Sequence, residues 1–262
     1  MIGRRVLPAV ALAGCSGQVA AQAAGELALS NTPALAGHKV GAGPDNPDLL
    51  LRWNRPNGSP QDLVLHFHGF AADARGMDLR VAMGGSGLDL SPVPEARASG
   101  PLLTRSTLAM LPRGRPRVPS GGAFDWPALA APGGLAAVLN AGRAAQAAAL
   151  GVATPPAGRI TLTAHSGGGG GLLAALDQSL RDGLRVDRVI LYDALYREPT
   201  VLPRWAAAVP NASLTITFAA GGGNERHARW VAARWPAARL IQSTAAHGDQ
   251  PRFHGWRLLA EP

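Results

Sequence analysis

The stretch that decides the fold is RITLTAHSGG, residues 159–168. Residues 159–164 are rich in apolar and β-branched side chains, which predicts a buried strand, and the apolar pattern after Gly168 predicts a helix. Ser166 therefore stands on a tight turn between strand and helix, where its Oγ clears the sheet. The residues two before and two after it, Ala164 and Gly168, are small, as close packing at such a turn requires. This spacing is that of a nucleophile elbow, with alanine in place of the usual first glycine.

The glycines after Ser166 mark the start of the predicted helix. Residues 167–171 are all glycine, and each glycine inside a helix costs about 1 kcal/mol relative to alanine. Such a run indicates close approach of other backbone, and the N–H groups of a helix N-terminus can stabilise an oxyanion. A phosphate-binding loop is the alternative. It is disfavoured because no Gly-Lys-Ser/Thr follows and Leu172 and Leu173 break the dinucleotide-binding register.

Strands and helices alternate outward from this stretch. Strands are predicted over residues 49–53, 62–68, 106–111, 159–164, 188–193, 213–219 and 239–243, and helices over 134–150, 168–180, 226–235 and around Trp205. The alternation predicts an α/β fold with a mainly parallel central sheet, and the near-continuous apolar strands predict helices on both of its faces. Ligands of such sheets lie at the carboxyl ends of the strands, so functional residues are expected there.

The chain resembles the α/β-hydrolase superfamily over about residues 49–257. The resemblance is carried by the elbow at Ser166, by an acid and a histidine that follow it in that order, and by the pair His68-Gly69 after an early strand. It implies the α/β-hydrolase fold, a Ser-His-Asp acyl-enzyme mechanism, an ester substrate, and no cofactor or metal. In this superfamily the residue after the His-Gly pair donates a backbone N–H to the oxyanion, which implies Phe70 as one donor and Gly167 as the other.

The base and the acid of the implied triad each have a favoured residue and an alternative. His247 lies in a loop of small residues after the last strand and is favoured as base over His254, which lies in the predicted final helix. Asp193 ends an apolar strand and is favoured as acid. Glu225, after the next strand, is the alternative acid, because many members of the superfamily place their acid there. His165 is expected to point away from the elbow.

A metal site is the competing interpretation of His66 and His68, which share one face of a strand. The pattern of dinuclear metallohydrolases continues with an Asp-His pair, and Phe70-Ala71 stands there instead. No metal is therefore predicted.

The stretch between Asp193 and Ser213 is too short for a large lid. It has room for one short helix that carries Trp205 and is broken by prolines, Pro199, Pro203 and Pro210. We expect a minimal lid and a shallow, permanently open site.

The composition fits one domain and disfavours a nucleic-acid partner. The chain has 262 residues, 47% of them hydrophobic, and a formal net charge of +8. Lys39 is its only lysine, and the arginines are scattered except for Arg113, Arg115 and Arg117 in a Pro/Gly-rich loop. Isolated arginines without interleaved aromatic residues indicate a solvated surface and no nucleic acid.

The N-terminus has the features of an export signal. Arg4-Arg5 precedes an apolar run over residues 6–13, and Leu12-Ala13-Gly14-Cys15 resembles the bacterial lipobox. Ordinary cleavage after residues 21–23 is the alternative. Both predict export from a bacterial cytoplasm, to the periplasm or beyond, with Cys15 as a lipid tether in the first case. Residues 1–25 are thus assigned to leader and linker, and 26–262 to the hydrolase domain.

The functional expectation is a serine hydrolase acting on a small-molecule or polymeric ester. Two alternatives stay open: an amidase or peptidase acting on cell-envelope material, and a non-catalytic envelope protein that retains the fold.

We predict that Cys15 is lipidated and that the mature protein partitions into detergent, because a short apolar run leads directly into the lipobox-like sequence. Mass spectrometry of the mature N-terminus checks this, with Cys15→Ser as the control that cannot carry the lipid. A lipid-free N-terminus at Ala24 would favour ordinary secretion.

Overall fold

The computed structural model describes residues 24–38, 47–54, 60–70, 78–88, 90, 105–117 and 124–261. Cys15 and almost all of the predicted leader lie outside these ranges. The first strand begins at Gly25, at the very end of the stretch assigned to leader and linker.

The described residues form ten strands, six α-helices and two 3₁₀ helices. They are β1 (Gly25–Leu29), a 3₁₀ helix (Pro33–His38), β2 (Leu49–Trp53), β3 (Gln61–Phe67), α1 (Leu79–Gly85), β4 (Thr107–Pro112), β5 (Arg115–Pro116), β6 (Phe124–Asp125), α2 (Gly134–Leu150), β7 (Ala157–His165), α3 (Gly168–Arg181), β8 (Arg188–Tyr192), α4 (Val201–Ala208), β9 (Ser213–Ala219), α5 (Glu225–Arg234), β10 (Arg239–Ser243), a second 3₁₀ helix (His247–Asp249) and α6 (Gln250–Ala260).

Eight of the described strands form one sheet in the order β1-β2-β4-β3-β7-β8-β9-β10. The β1–β2 and β2–β4 pairs are antiparallel, and all other neighbours are parallel. The predicted mainly parallel sheet is therefore confirmed. The predicted bounds of β2, β9, β10 and α2 agree with the structure residue for residue.

The sheet separates two apolar layers, because successive side chains of a strand point to opposite faces. On one face Leu51 and Leu65 pack in the larger cluster with residues of α2, α3, α4 and α5. On the other face Leu50 and Val64 pack in a second cluster with residues of α1 and α6. Both faces are thus covered by helices, as the continuous apolar strands predict. None of the described helices is both long and apolar enough to cross a membrane.

The helix predicted around Trp205 is α4, and Pro203 lies inside it. The expectation that Pro203 breaks this helix is wrong. Pro203 occupies the first turn, where a backbone N–H has no acceptor within the helix, so the missing N–H costs nothing. The Trp205 side chain is fully buried and its Nε1 donates to the Val186 carbonyl. The one helix between Asp193 and Ser213 is therefore part of the core and does not form a lid.

Several short strands are not predicted from the sequence. The strand β1 alternates in polarity and is held by pairing with β2, where Arg52 binds Glu26. The two-residue strands β5 and β6 are too short for a periodic signal, and Arg115 and Asp125 pair across them. These elements depend on contacts with distant parts of the chain.

The glycine run explains how closely α3 packs on the sheet. A Cβ on Gly168 would overlap the carbonyl of Phe67, one on Gly169 the carbonyl of Ala194, and one on Gly171 the ring of Trp126. At Gly170 the nearest atoms are 3.9 Å away. Three of these glycines are therefore required by close approach, while Gly170 is not.

We predict that Gly169→Ala lowers the free energy of unfolding by about 3 kcal/mol, because the rigid backbone of Ala194 must move. Gly170→Ala is the matched control in the same helical turn, and it should raise the free energy of unfolding by up to about 1 kcal/mol through helix propensity. Equilibrium unfolding in urea measures both changes. Equal effects of the two variants would contradict the packing explanation.

Candidate active site

Ser166 occupies a strained turn at the carboxyl end of β7. Its φ is +50°, in the left-handed region that non-glycine residues rarely adopt, at a cost of about 1 kcal/mol or more. The Ser166 N–H donates to the Tyr192 carbonyl at 3.2 Å, and its carbonyl accepts from the Gly169 N–H at 3.1 Å. These bonds hold the serine between the end of β7 and the start of α3, as the elbow motif predicts.

Asp193 occupies an equivalent turn at the end of β8, the neighbouring strand. Its φ is +46°, and its N–H donates to the Thr217 carbonyl at 2.9 Å. The side chain is only 6% exposed, and Oδ2 accepts a hydrogen bond of 2.7 Å from His247 Nδ1. The other oxygen, Oδ1, is buried without a hydrogen-bond partner among the described residues. His247 is therefore the principal group placed to balance this carboxylate.

His247 links the two turns. It begins the 3₁₀ helix after β10, and its Nε2 lies 2.9 Å from Ser166 Oγ. Because a carboxylate only accepts hydrogen bonds, the Nδ1 facing Asp193 carries the proton, and the lone pair of Nε2 faces the serine hydroxyl. The three favoured residues thus form one hydrogen-bonded chain in which a proton can pass from Ser166 to His247.

The alternative acid and the alternative base are engaged elsewhere. The Glu225 carboxylate accepts from the Gly221 N–H at 2.8 Å and from Arg229 at 2.7 Å, and these two contacts lower its pKa. His254 is buried, with Nε2 2.8 Å from Ser243 Oγ, and burial lowers the pKa of its ring. Neither residue joins the chain that contains Ser166.

The loop after β3 lies directly against the elbow. A Cβ on Gly69 would be 3.1 Å from Ser166 Cβ and 2.8 Å from His165 Nδ1, so only glycine fits. This contact brings Phe70, one of the two implied oxyanion donors, beside the serine. Gly167, the other, follows Ser166 and caps α3. Within the described part of the chain, neither N–H donates to a protein acceptor.

His68 fixes the orientation of the peptide that precedes Phe70. Its Nε2 accepts a hydrogen bond of 2.9 Å from the Gly114 N–H, so the proton of the neutral ring is on Nδ1, which donates to the Gly69 carbonyl at 2.9 Å. In a trans peptide the carbonyl and the following N–H point in opposite directions. Because the Gly69 carbonyl is held toward the His68 ring, the Phe70 N–H points away from that ring.

His165 lies in the site, and the expectation that it points away from the elbow is wrong. Its Nε2 donates to the His247 carbonyl at 2.9 Å, and the two rings lie 4.8 Å apart between centroids. Burial lowers the pKa of His165, which favours the neutral ring with its proton on the donating Nε2. The sequence does carry a signal for this placement. Alternation along β7 puts His165 on the same face as Thr163, opposite Ala164.

His66, the other half of the metal hypothesis, is a buried structural residue. Its Nδ1 lies 2.7 Å from Thr163 Oγ1. Burial and then the neighbouring His165 and His68 lower the pKa of His66 well below its usual value, so the ring is neutral. Among the described residues, no cluster of three or more His, Cys, Asp or Glu side chains could hold a metal ion.

An open cleft of about 450 Å³ leads to the site. Its lining includes His165 and Gly248, the sequence neighbours of Ser166 and His247. Phe70 and Val81, which are 67% and 73% exposed, also line it. The cleft therefore offers exposed apolar side chains next to the elbow.

Comparison with known proteins gives likeness at the level of structure only. No protein-family model and no curated protein matches the chain. Carboxylesterase CesB from Bacillus subtilis is 13% identical with a TM-score of 0.42, and the match covers 90% of each chain. Siderophore hydrolase EstA from Aspergillus nidulans is 13% identical with a TM-score of 0.46, over 98% of this chain and 99% of that one. A structure described as an arylesterase is 13% identical with a TM-score of 0.44, over 91% and 82%.

The architecture of this chain itself identifies its fold class. A mainly parallel sheet is flanked by helices on both faces, and a serine stands on a strand–turn–helix elbow. An acid and a histidine follow that serine in chain order and meet it at the carboxyl edge of the sheet. The chain has the α/β-hydrolase fold. The α/β-hydrolase fold places its reactive residues on loops at this edge, which is where the cleft opens.

We predict that Asp193→Asn lowers kcat by about 10⁴-fold, because an amide at this position leaves the His247 ring in the wrong tautomer. Glu225→Gln, which removes a carboxylate bonded to Arg229, should change kcat less than about threefold, as for an exposed ion pair. Steady-state kinetics on an activated ester measures both. The opposite ranking would move the acid to Glu225 and leave Asp193 as a structural residue.

Proposed function

We propose that the protein is a serine hydrolase that cleaves carboxylic esters through an acyl-enzyme. The observation that carries the proposal is the continuous hydrogen-bonded chain from Ser166 Oγ through His247 to Asp193, with distances of 2.9 Å and 2.7 Å. An open cleft lies beside this chain, lined by His165 and Gly248, the sequence neighbours of Ser166 and His247. Ser166 is itself partly exposed, so an ester can reach the hydroxyl.

In the first half of the reaction, Ser166 Oγ attacks the ester carbonyl while His247 Nε2 takes its proton. The electron pair of the carbonyl moves to oxygen, and the tetrahedral intermediate collapses when the imidazolium protonates the leaving alkoxide. The alcohol departs and the acyl group remains on Ser166. In the second half, His247 deprotonates water, which attacks the acyl carbonyl and releases the acid and the free serine.

Asp193 stabilises the imidazolium that each half-reaction forms. Its carboxylate is nearly buried and its second oxygen has no partner among the described residues, so its charge acts mainly on His247. His165 fixes the backbone of the same residue by donating to the His247 carbonyl. The bond to Asp193 and the bond from His165 therefore both orient His247 toward Ser166 before the reaction.

The oxyanion would bind between the N–H groups of Phe70 and Gly167. Support comes from the contact of Gly69 with the elbow and from the bond that fixes the Gly69 carbonyl to His68. Donors that are fixed before the reaction lower its barrier because they need no reorganisation, and one such donor contributes about 3 kcal/mol.

The cleft supports a substrate with an apolar group of modest size. Its volume of about 450 Å³ and the exposed side chains of Phe70 and Val81 suit an uncharged alcohol or acyl portion. Because α4, the one helix between Asp193 and Ser213, belongs to the core and forms no lid, we expect no activation at a lipid–water interface. Export and a lipid tether at Cys15 belong to the same proposal and rest on the sequence alone.

We predict that Ser166→Ala lowers ester turnover by at least about 10³-fold. The exposed Ser213→Ala, at the start of β9, should leave turnover unchanged. The free energy of unfolding of Ser166→Ala should stay within about 1 kcal/mol of the wild type, because the side chain faces the cleft. Ester turnover by Ser166→Ala at the wild-type rate would refute the mechanism.

A parallel assay separates the ester hydrolase from the amidase or peptidase alternative. Turnover of a para-nitrophenyl ester should exceed turnover of the matching para-nitroanilide. Faster cleavage of the anilide would assign the protein to amide hydrolysis with the same triad.

A further inference from the structure

A second, smaller pocket adjoins the elbow on the Gly167 side of Ser166. Its volume is about 190 Å³. Its lining combines the apolar side chains of Phe124, Leu173 and Ala194 with Tyr196 and two arginines, Arg117 and Arg197. No carboxylate lines this pocket among the described residues. A short apolar group that ends in an anion would match both parts of its surface.

Neither Arg117 nor Arg197 forms an ion pair with the described residues. Most other described arginines do, for example Arg115 with Asp125 at 2.9 Å and Arg229 with Glu225 at 2.7 Å. In a chain with a formal net charge of +8, two arginines without an ion pair among the described residues line one small pocket and concentrate positive potential there.

The N-terminus of α3 adds to this positive potential. Cζ and Nε of Arg197 lie 3.9 Å from the position of a Cβ on Gly170, in the first turn of the helix. That turn contains no acidic residue, and the helix has no side-chain cap. A helix N-terminus carries a partial positive charge, so a guanidinium beside it is destabilised unless an anion lies near both.

The acidic residues closest in sequence do not compensate. Glu198 follows Arg197 and does not line the small pocket. It lines a neighbouring cleft that shares Arg197 with the small pocket and also includes Arg226, and it forms no ion pair with Arg197. Asp193 is bonded to His247. The excess positive charge in the small pocket is therefore open to a ligand.

We propose that the preferred substrate is an anionic ester, whose carboxylate binds between Arg117 and Arg197 at the end of a short apolar spacer. The inference rests on the proposed hydrolase function and adds to it the charge of the substrate. Phe124, Leu173 and Ala194 would contact the methylene groups, and the two guanidinium groups would bind the carboxylate. The other portion of the ester would lie in the larger cleft beside Phe70.

Two matched pairs of esters test the proposal and locate the charge. Para-nitrophenyl hydrogen adipate and its methyl ester place the charge, or its absence, on the acyl side. Para-acetoxybenzoate and its methyl ester do the same on the alcohol side. In one of the two pairs, kcat/KM for the anionic ester should exceed kcat/KM for the neutral ester by about tenfold at low salt. Salt at about 0.5 M should reduce this ratio, because Arg117 and Arg197 are exposed and their charges are screened.

Arginine variants tie the preference to the pocket. In Arg197→Gln and Arg117→Gln the ratio of anionic to neutral kcat/KM should fall by about threefold or more. Arg234→Gln removes the same charge from the last turn of α5, and the ratio should not change.

The results separate this inference from the proposed function. Turnover of neutral esters with a ratio of one or less in both pairs overturns the anionic preference and leaves the hydrolase intact. A ratio that is unaffected by both Arg117→Gln and Arg197→Gln overturns the assignment to this pocket. Absence of turnover of all four esters refutes both.

Discussion

The hydrogen bonds between the ends of β7 and β8 are the constraint on which the site depends. The parallel register pairs His165 with Tyr192, so the next residues of the two strands are Ser166 and Asp193. The Ser166 N–H donates to the Tyr192 carbonyl, and both residues then turn with positive φ. The sheet therefore fixes the nucleophile and the acid at neighbouring points of one edge, and a single loop residue, His247, can bridge them.

The strain at these two turns is supported by close packing nearby. Two left-handed non-glycine residues cost about 1 kcal/mol or more each, and such turns persist only where the surroundings determine them. Gly168 and Gly169 make this packing possible. Because they have no side chains, α3 can lie directly against the carbonyls of Phe67 and Ala194. The same approach places Gly69 against Ser166. One run of small residues thus sets the elbow, the loop that carries Phe70, and the pocket under Arg197.

The sequence predicts the parts of this structure that local patterns encode. Long apolar strands and the alanine-rich α2 carry periodic signals, and the strand–turn–helix context of Ser166 identifies the elbow. Placement of a side chain by tertiary contact is harder to predict. The placement of His165 can be predicted only if strand alternation is followed to the end of β7. The role of His68 depends on a hydrogen bond from Gly114, which is far away in sequence. Pro203 shows that a helix breaker is tolerated in a first turn.

The central claim is that Ser166 is a nucleophile activated by His247. Covalent labelling with a fluorophosphonate, followed by mass spectrometry of the intact protein and its peptides, tests this most directly. The account predicts one adduct per chain, on Ser166, formed much more slowly in His247→Ala. The absence of an adduct on the wild-type protein, or an adduct on another residue with Ser166 unmodified, would contradict it.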